Sequence, residues 1–535
     1  MLFTSNIFIS VFLPSFIFLY FLLPQKYVKP HNLLLIIFSV IFYGWGGVKY
    51  LGLMGTSIAV NYISGLLVEK RSIPGIAAAA KHVNSKAPAP KRGESKALTT
   101  KCSRLKALAS ECVDLHGNDF FRKAALIASI LVNAALLGVF KYAGFVTQTL
   151  ADIGFAVNVA SIALPIGISF YTFQGMSYVF DVYKGDTKAA KNPLTVALYV
   201  ALFPQLVAGP IVRYTDIERE IISRRVRLHD FYYGALRFML GFGKKIILAN
   251  SVSIIADEAF SNAGTQLLTP SLAWLGAISF TLQIYFDFSA YSDMAIGLGR
   301  MIGFHFNENF NYPYISTSIT EFWRRWHISL SSWFRDYIYI PLGGNRCTIP
   351  RQILNLFTVW LLTGIWHGAN WTYILWGIYY GILQIIEKFI ISDDNLKKIP
   401  TWIRYITTML LVIFGWVLFR AESISDAWTY LGCMFGINPA AVGSSAAGVV
   451  GSGSTALQSS LSECVYLIRE YYPELIMSVA ASFPIIKLIE DKMTKTRMGI
   501  HAFRIIISVF ALAVFAVAYV KLVSGSFSPF IYFQF

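Results

Sequence analysis

Long apolar segments recur along this chain and limit its fold more than any other feature of the sequence. Seven of them approach or reach the roughly 20 residues that an α-helix needs to cross about 30 Å of hydrocarbon. They lie at 7–23, 33–47, 124–140, 194–209, 272–288, 409–419 and 505–522. With 56% hydrophobic and only 14% charged residues, the chain is too apolar for a soluble enzyme that needs a polar surface.

Lipid restricts the secondary structure of such segments. Every backbone polar group must be satisfied inside the membrane, so only helices and closed barrels can span it. The apolar segments are too long and too uniform for the alternating pattern of a β-barrel strand. We therefore predict an all-α, polytopic membrane protein that forms one domain over residues 1–535. About 10–13 transmembrane or re-entrant helices would fit the pattern.

The formal net charge is +16, and the basic residues lie between the apolar segments. Orientation in the membrane explains this distribution better than nucleic-acid binding does, so we predict no nucleic-acid partner. The basic segment 71–106 should be a solvated cytoplasmic insertion, with binding to a partner or to anionic membrane lipid as the alternative. Segment 487–504 should share that side, whereas the Gly/Ser-rich segment 442–462 should be an outer loop. Both termini would then face outward.

Several kinds of catalytic site lack support in the sequence. The five cysteines have no metal-ligand spacing and form no even disulfide set, so we predict no metal site. P-loop, GxSxG and HExxH motifs are absent as well. ATP hydrolysis, serine hydrolase and zinc protease chemistry are therefore not indicated.

One histidine lies at the centre of an unusually uncharged stretch. No Asp, Glu, Lys or Arg occurs from 352 to 386, and His367 is near the middle. Basic residues flank both ends, which predicts a helical hairpin whose turn carries His367 at membrane depth or just under the outer surface. A neutral imidazole suits proton transfer from an alcohol, and Trp366 and Asn370 would supply shape and hydrogen bonds. A structural histidine satisfied by a neighbouring helix is the alternative.

A second histidine, His327, lies in segment 321–337. One face of a helix over this segment would carry Trp323, Trp326, His327, Leu330 and Phe334. This pattern predicts an amphipathic helix at, or dipping into, the membrane interface. Arg324 and Arg325 lie off that face and would suit the phosphates of a donor such as a coenzyme A thioester. A plain interfacial anchor would give the same pattern.

Other polar residues within apolar segments are weaker candidates. Gln174 follows a Pro- and Gly-containing segment of the kind that lines cavities, and we include it among possible substrate-binding residues. Segment 204–213 is interrupted in a similar way. Asp287 and Asp293 are carboxylates of a type that pairs with a neighbouring helix more often than it catalyses.

These residues lie in stretches that resemble the membrane-bound O-acyltransferase family, specifically its bacterial branch acting in alginate O-acetylation. The stretches are LPIGISFYTFQ (164–174), FPQLVAGPIVR (203–213), YFDFSAYSDMAIG (285–297), NFNYPY (309–314), FWRRWHISLSSWFRDYIYIPLGG (322–344) and GIWHGANW (364–371). The resemblance extends over nearly the whole chain. The departures are the insertion at about 71–106 and the loop near 442–462.

The resemblance implies helices around a central tunnel that joins a cytoplasmic donor side to an outer acceptor side. His367 matches the family's catalytic histidine, as general base or transient acyl relay, and His327 would orient the donor or assist. Acetyl-CoA or another acyl thioester would be the donor, with no bound cofactor. The acyl group would pass to an extracytoplasmic SGNH-type acetyltransferase that modifies a polysaccharide acceptor. The protein would lie in the bacterial cytoplasmic membrane.

Two other functions fit parts of the pattern. One is D-alanyl transfer to teichoic acid, performed by a related branch with shorter chains. The other is a transporter or polymer export channel, which the broken helices would suit. We find no matched halves of the kind seen in inverted-repeat carriers, and the WHG and RRWH motifs favour chemistry.

Overall fold

The computed structural model describes residues 1–69, 116–159, 162–437, 452–525 and 530. Over these residues the chain is helical and contains no strand, which confirms the all-α prediction. The predicted insertion at 71–106 lies outside the described residues.

Twenty-one α-helices make up the described part of the chain. The first eleven are α1 Leu13–Leu22, α2 Val28–Gly44, α3 Lys49–Val68, α4 His116–Leu137, α5 Ala143–Asp152, α6 Ile168–Lys184, α7 Pro193–Ala201, α8 Tyr214–Ile222, α9 Leu228–Gly243, α10 Asn250–Ser261 and α11 Pro270–Met301. The others are α12 Ile319–Arg325, α13 Ile328–Phe334, α14 Ile349–His367, α15 Trp371–Ile385, α16 Asp393–Lys398, α17 Thr401–Arg420, α18 Ile424–Met434, α19 Ser452–Ala481, α20 Ile485–Met493 and α21 Arg497–Ser524.

Six helical segments of the described chain are long and apolar enough to cross a membrane. They are Lys49–Val68, Asp119–Asp152, Leu228–Ser261, Trp371–Ile391, Thr401–Arg420 and Arg497–Ser524. The bent pair of α19 and α20 would add a seventh, and two shorter apolar helices lie at Phe8–Leu22 and Val28–Gly44. These elements confirm a multi-pass membrane protein.

The apolar segment 194–209 is not a span. Helix α7 ends at Ala201, and the chain from 202 to 213 is irregular and almost entirely buried. Pro204 cannot donate a helical hydrogen bond and disfavours helix in the residue before it. Irregular backbone at membrane depth needs partners within the protein, and the Phe203 amide donates to Ser39 Oγ at 3.1 Å.

The predicted outer loop at 442–462 was too long. Helix α19 begins at Ser452, so residues 452–462 are helical, while 442–451 lie outside the described residues. Segment 452–462 contains Ala, Leu and Gln and no Pro, and it leads directly into an apolar helix. Its helix-forming residues therefore outweigh the Ser and Gly content on which the loop prediction depended.

Helix α11 lies at the centre of the molecule, and most of its side chains are buried. Its two carboxylates pair with neighbouring helical segments. Asp287 forms a buried ion pair with Lys245, and Asp293 contacts Lys244 at 2.6 Å and Arg237 at 2.8 Å. This confirms that both aspartates pair with neighbouring helical segments.

Candidate active site

The hairpin predicted around His367 is present. Helix α14 ends at His367, a three-residue turn follows, and α15 begins at Trp371. Glycines let the two arms approach closely, because a Cβ atom on Gly364 would lie 2.5 Å from the carbonyl oxygen of Tyr373. A Cβ on Gly377 would likewise lie 2.5 Å from the Trp360 carbonyl oxygen. Small residues commonly allow such backbone contact between membrane helices.

The imidazole of His367 is enclosed by aromatic rings. His367 is only 6% exposed. The centroid of its ring lies 4.8 Å from the ring centroid of Trp376 and 5.3 Å from that of Phe419, and both contacts are edge-on. Trp366 packs against it at 5.0 Å. Large rings of this kind exclude water, which strengthens every polar interaction inside the cage.

Segment 321–337 is not one helix, which corrects the prediction. The chain breaks at Trp326 and His327, and His327 adopts a left-handed conformation with φ 45° and ψ 55°. Such a conformation is strained for a residue with a side chain, so surrounding contacts must hold it. The main chain and the side chain of Asn309 provide these contacts.

Asn309 is fully buried and binds both sides of the break. Its carbonyl oxygen accepts from the Ile328 amide at 2.9 Å, and its Oδ1 is 3.1 Å from His327 Nδ1. Ser329 Oγ also donates to Oδ1 at 2.9 Å, while Asn309 Nδ2 donates to Ser292. This orientation of the amide assigns the proton to His327 Nδ1 and leaves Nε2 as the basic nitrogen.

Helices α12 and α13 are joined at this break, with His327 at the junction, and the pair is called the V. Glu387, in the turn after α15, accepts from the first amides of α12, Ile319 at 2.8 Å and Thr320 at 2.9 Å. The V therefore starts at the basic end of the α14–α15 hairpin, opposite the turn that carries His367. Trp323 and Trp326 are buried among aromatic residues, so this face of the segment packs inside the protein.

The two histidines meet at Trp366. The centroid of the Trp366 ring is 5.0 Å from that of His367 and 6.1 Å from that of His327. The structure thus brings together three residues that the sequence singled out, from two separate elements of the chain.

A cavity of about 70 Å³ opens onto His367. This is several times the 10–15 Å³ that one ordered water needs. Its lining consists of Lys141, residues 164–170, Val207, Ala208, Trp366 and His367. His327 is not part of that lining, and the predicted tunnel from a cytoplasmic donor side to an outer acceptor side stays a prediction.

Comparison with known proteins decides the family. The model of the membrane-bound O-acyltransferase family matches residues 188–425. Over the full length of both chains, the protein is 40% identical to a probable alginate O-acetylase of Azotobacter vinelandii. The chain belongs to the membrane-bound O-acyltransferase family. Membership decides for an enzyme over a transporter, and the similarity to O-acetylases makes it an O-acetyltransferase.

Two further relatives of this O-acyltransferase cover less of it. A peptidoglycan O-acetyltransferase of Helicobacter pylori is 31% identical, over 82% of this chain and 80% of its own. A teichoic acid D-alanyltransferase of Bacillus subtilis is 29% identical, over 48% of this chain and 69% of its own. Similarity to the D-alanyltransferase is therefore confined to about half of the O-acyltransferase chain.

Asn370 and Gln174 are two further site residues predicted from the sequence. Both side-chain groups of Asn370 are used: Oδ1 accepts from the Thr372 amide at the start of α15 at 3.1 Å, and Nδ2 donates at 2.8 Å to the carbonyl of Glu422, which follows α17. Asn370 therefore shapes the turn. Gln174 is fully buried in α6, and its amide atoms have no hydrogen-bond partner among the described residues. A buried amide of this kind still needs an explanation, so Gln174 stays a candidate.

The two arginines of α12 differ. Arg325 Nε donates to Glu321 at 3.0 Å, and its Nη1 donates to the Asn311 carbonyl at 3.1 Å. Arg324 is exposed. Arg325 therefore stabilises the V, whereas Arg324 lies at the surface.

The sequence patterns did not single out three residues that the structure places at or near the site. They are Asn309, Glu387 and Lys141. A lysine next to the apolar run 124–140 is a signal that we did not use, because a cation at membrane depth is costly and marks function or pairing. For Asn309 and Glu387 no local pattern indicates the contacts, which join segments distant in sequence.

Proposed function

We propose that the protein moves an acetyl group from a cytoplasmic thioester, acetyl-CoA, across the membrane for O-acetylation of an exported or cell-wall polysaccharide. The observation that carries this proposal is that His327 and His367 both lie against Trp366, although α12 starts at the basic end of the α14–α15 hairpin and His367 is at its turn. The basic residues Arg346, Arg351 and Lys388 favour a cytoplasmic position for the end where the V starts. His367 would then face the outer side, where polysaccharides are modified.

In this proposal each histidine has its own role. His367 takes the proton of the attacking hydroxyl, a step for which a neutral imidazole is suited at neutral pH. His327, fixed by Asn309 with Nε2 as the basic nitrogen, orients the thioester. The surrounding tryptophans exclude water and so protect the thioester from hydrolysis.

The acceptor class is supported by the named substrates of the relatives. One relative is named for alginate and another for peptidoglycan, and both polymers contain sugars with hydroxyl groups. D-alanyl transfer is disfavoured because the D-alanyltransferase matches only 48% of this chain. We further propose location in the bacterial cytoplasmic membrane, both termini outward, and an extracytoplasmic SGNH-type acetyltransferase as the partner that receives the acetyl group.

Mass analysis of exported and cell-wall glycans tests this function. Cells that lack the protein should lose acetyl groups from one polysaccharide, and the wild-type gene should restore them. An unchanged acetyl content would contradict the proposal. Loss of alanyl groups from a teichoic acid would favour the D-alanyl alternative.

The two arginines of α12 should respond differently to substitution. Because Arg324 is exposed, Arg324→Gln should raise KM for acetyl-CoA by about tenfold, the effect of one charge-assisted phosphate contact. The matched control, Arg325→Gln, should leave KM near the wild-type value and lower the thermal stability, since it removes the contact with Glu321. Initial rates in reconstituted membranes measure both. Equal KM values for wild type and Arg324→Gln would leave the arginine as a membrane anchor.

A further inference from the structure

The last turn of α14, which carries His367, has no cap of its own. Gly368 continues in an extended conformation, with φ −168° and ψ 161°. The chain therefore does not make the left-handed turn that often satisfies the final carbonyl groups of a helix. The last four carbonyls of any α-helix lack partners inside it, and exposing them is costly at membrane depth.

Two side chains from a neighbouring segment bind these carbonyls. Lys141 Nζ donates to the carbonyl oxygen of Trp366 at 2.6 Å and to that of His367 at 2.9 Å. The hydroxyl of Tyr142 donates to the carbonyl oxygen of Ile365. Both residues lie in a π-helical turn, Gly138–Tyr142, between α4 and α5. Such turns are frequent at functional sites.

The ammonium group of Lys141 also belongs to the cavity wall. It lies 3.4 Å from Ser169 Oγ and 5.9 Å from the centroid of the Trp366 ring. Lys141, Ser169 and His367 line the same cavity. A neutral donor would suffice to cap a helix, whereas a cation in a membrane segment is expensive. Lys141 Nζ therefore lies where an ammonium group would act on the cavity as well as on the end of α14.

We propose that Lys141 is a positioning residue for His367 and places a positive charge beside the acyl-transfer cavity. The inference rests on the proposed function. During transfer the hydroxyl oxygen bonds to the acyl carbon, the carbon–sulfur bond breaks, and the hydroxyl proton passes to His367 and then to the leaving thiolate. The carbonyl oxygen is negatively charged in between, and a fixed cation nearby stabilises that charge.

Lys141→Met tests this role, with Tyr142→Phe as its matched control. Each variant removes hydrogen bonds to the end of α14, but only the first removes charge. We expect Lys141→Met to lower kcat per folded molecule by about 10- to 100-fold, with KM for acetyl-CoA within about twofold of wild type. Tyr142→Phe should keep kcat within about threefold of wild type. Reconstituted full-length protein and acetyl-CoA as donor provide the assay.

Chemical rescue separates charge from packing. Lys141→Cys treated with 2-bromoethylamine regains an ammonium on a side chain of nearly the same length, whereas 1-bromopropane gives a neutral chain of similar length. Mass spectrometry verifies alkylation at position 141, and wild type treated in parallel controls for the five native cysteines. Only the aminoethylated protein should recover kcat.

The outcomes distinguish this inference from the proposed function. If wild type transfers no acetyl group from acetyl-CoA, the donor assignment fails, and polysaccharide acetylation in cells, divided by protein abundance, then reports on Lys141. The Lys141 role is wrong if Lys141→Met keeps wild-type activity per molecule on either measure. It is also wrong if Lys141→Met and Tyr142→Phe lose activity equally, or if both alkylated forms recover equally. Those results would mean that Lys141 only caps the end of α14.

Discussion

Replacing His367 by glutamine should lower acetyl transfer by about 10²–10⁴-fold, the usual contribution of a general base. Glutamine occupies a similar volume among Trp366, Trp376 and Phe419 but cannot accept a proton at neutral pH. The amount of folded protein should therefore stay near that of wild type. Acetyl transfer in reconstituted membranes and chromatographic yield of the purified protein measure the two effects.

His31→Gln is the matched control for this substitution. His31 is also buried, at 4% exposure, and its Nδ1 lies 2.7 Å from the Tyr27 carbonyl oxygen, outside the candidate site. The same chemical change there should leave transfer per molecule unchanged. Full activity of His367→Gln would refute the catalytic assignment. A loss of folded protein that accounts for the loss of activity would instead identify His367 as a structural histidine.

The hairpin around His367 could be predicted because its signal is local. An uncharged stretch with basic residues at both ends sets two helices and a turn, whatever the rest of the chain does. The structure has its turn between His367 and Trp371, as expected. The lining of the cavity could not be predicted in this way, since it joins Lys141 to Ala208 and His367.

The break at His327 shows where local patterns fail. Residues 321–337 have the periodicity of an amphipathic helix, and nothing within that segment indicates an interruption. The strained conformation of His327 is held by Asn309, through hydrogen bonds that a helical pattern does not encode. Strained backbone at a functional site depends on the surrounding structure, so tertiary contacts here override the local preference.

A substitution that pushes the two arms of the α14–α15 hairpin apart should also strongly lower both protein yield and activity. A valine at Gly364 would place its Cβ 2.5 Å from the Tyr373 carbonyl oxygen and 3.2 Å from Gly377 Cα. Both neighbours are backbone atoms, which cannot rotate away, so α14 and α15 must separate. Gly364 lies less than one helical turn from His367, and a shift of about 1 Å in a catalytic group can cost about 10²-fold in rate. We expect Gly364→Val to yield little folded protein, and to reduce activity per molecule at least 10²-fold in any protein that does fold.

Gly55→Val provides the control, because Gly55 lies on an exposed face of α3 and a Cβ there would meet no atom within 4 Å. The same substitution in another membrane helix should leave yield and activity within about twofold of wild type, since the helix propensity of valine is no worse than that of glycine. Yield by size-exclusion chromatography and acetyl transfer per molecule distinguish the two sites. If Gly364→Val matched Gly55→Val on both measures, the arms could separate without moving His367, and the close backbone contact would not be what positions the catalytic turn.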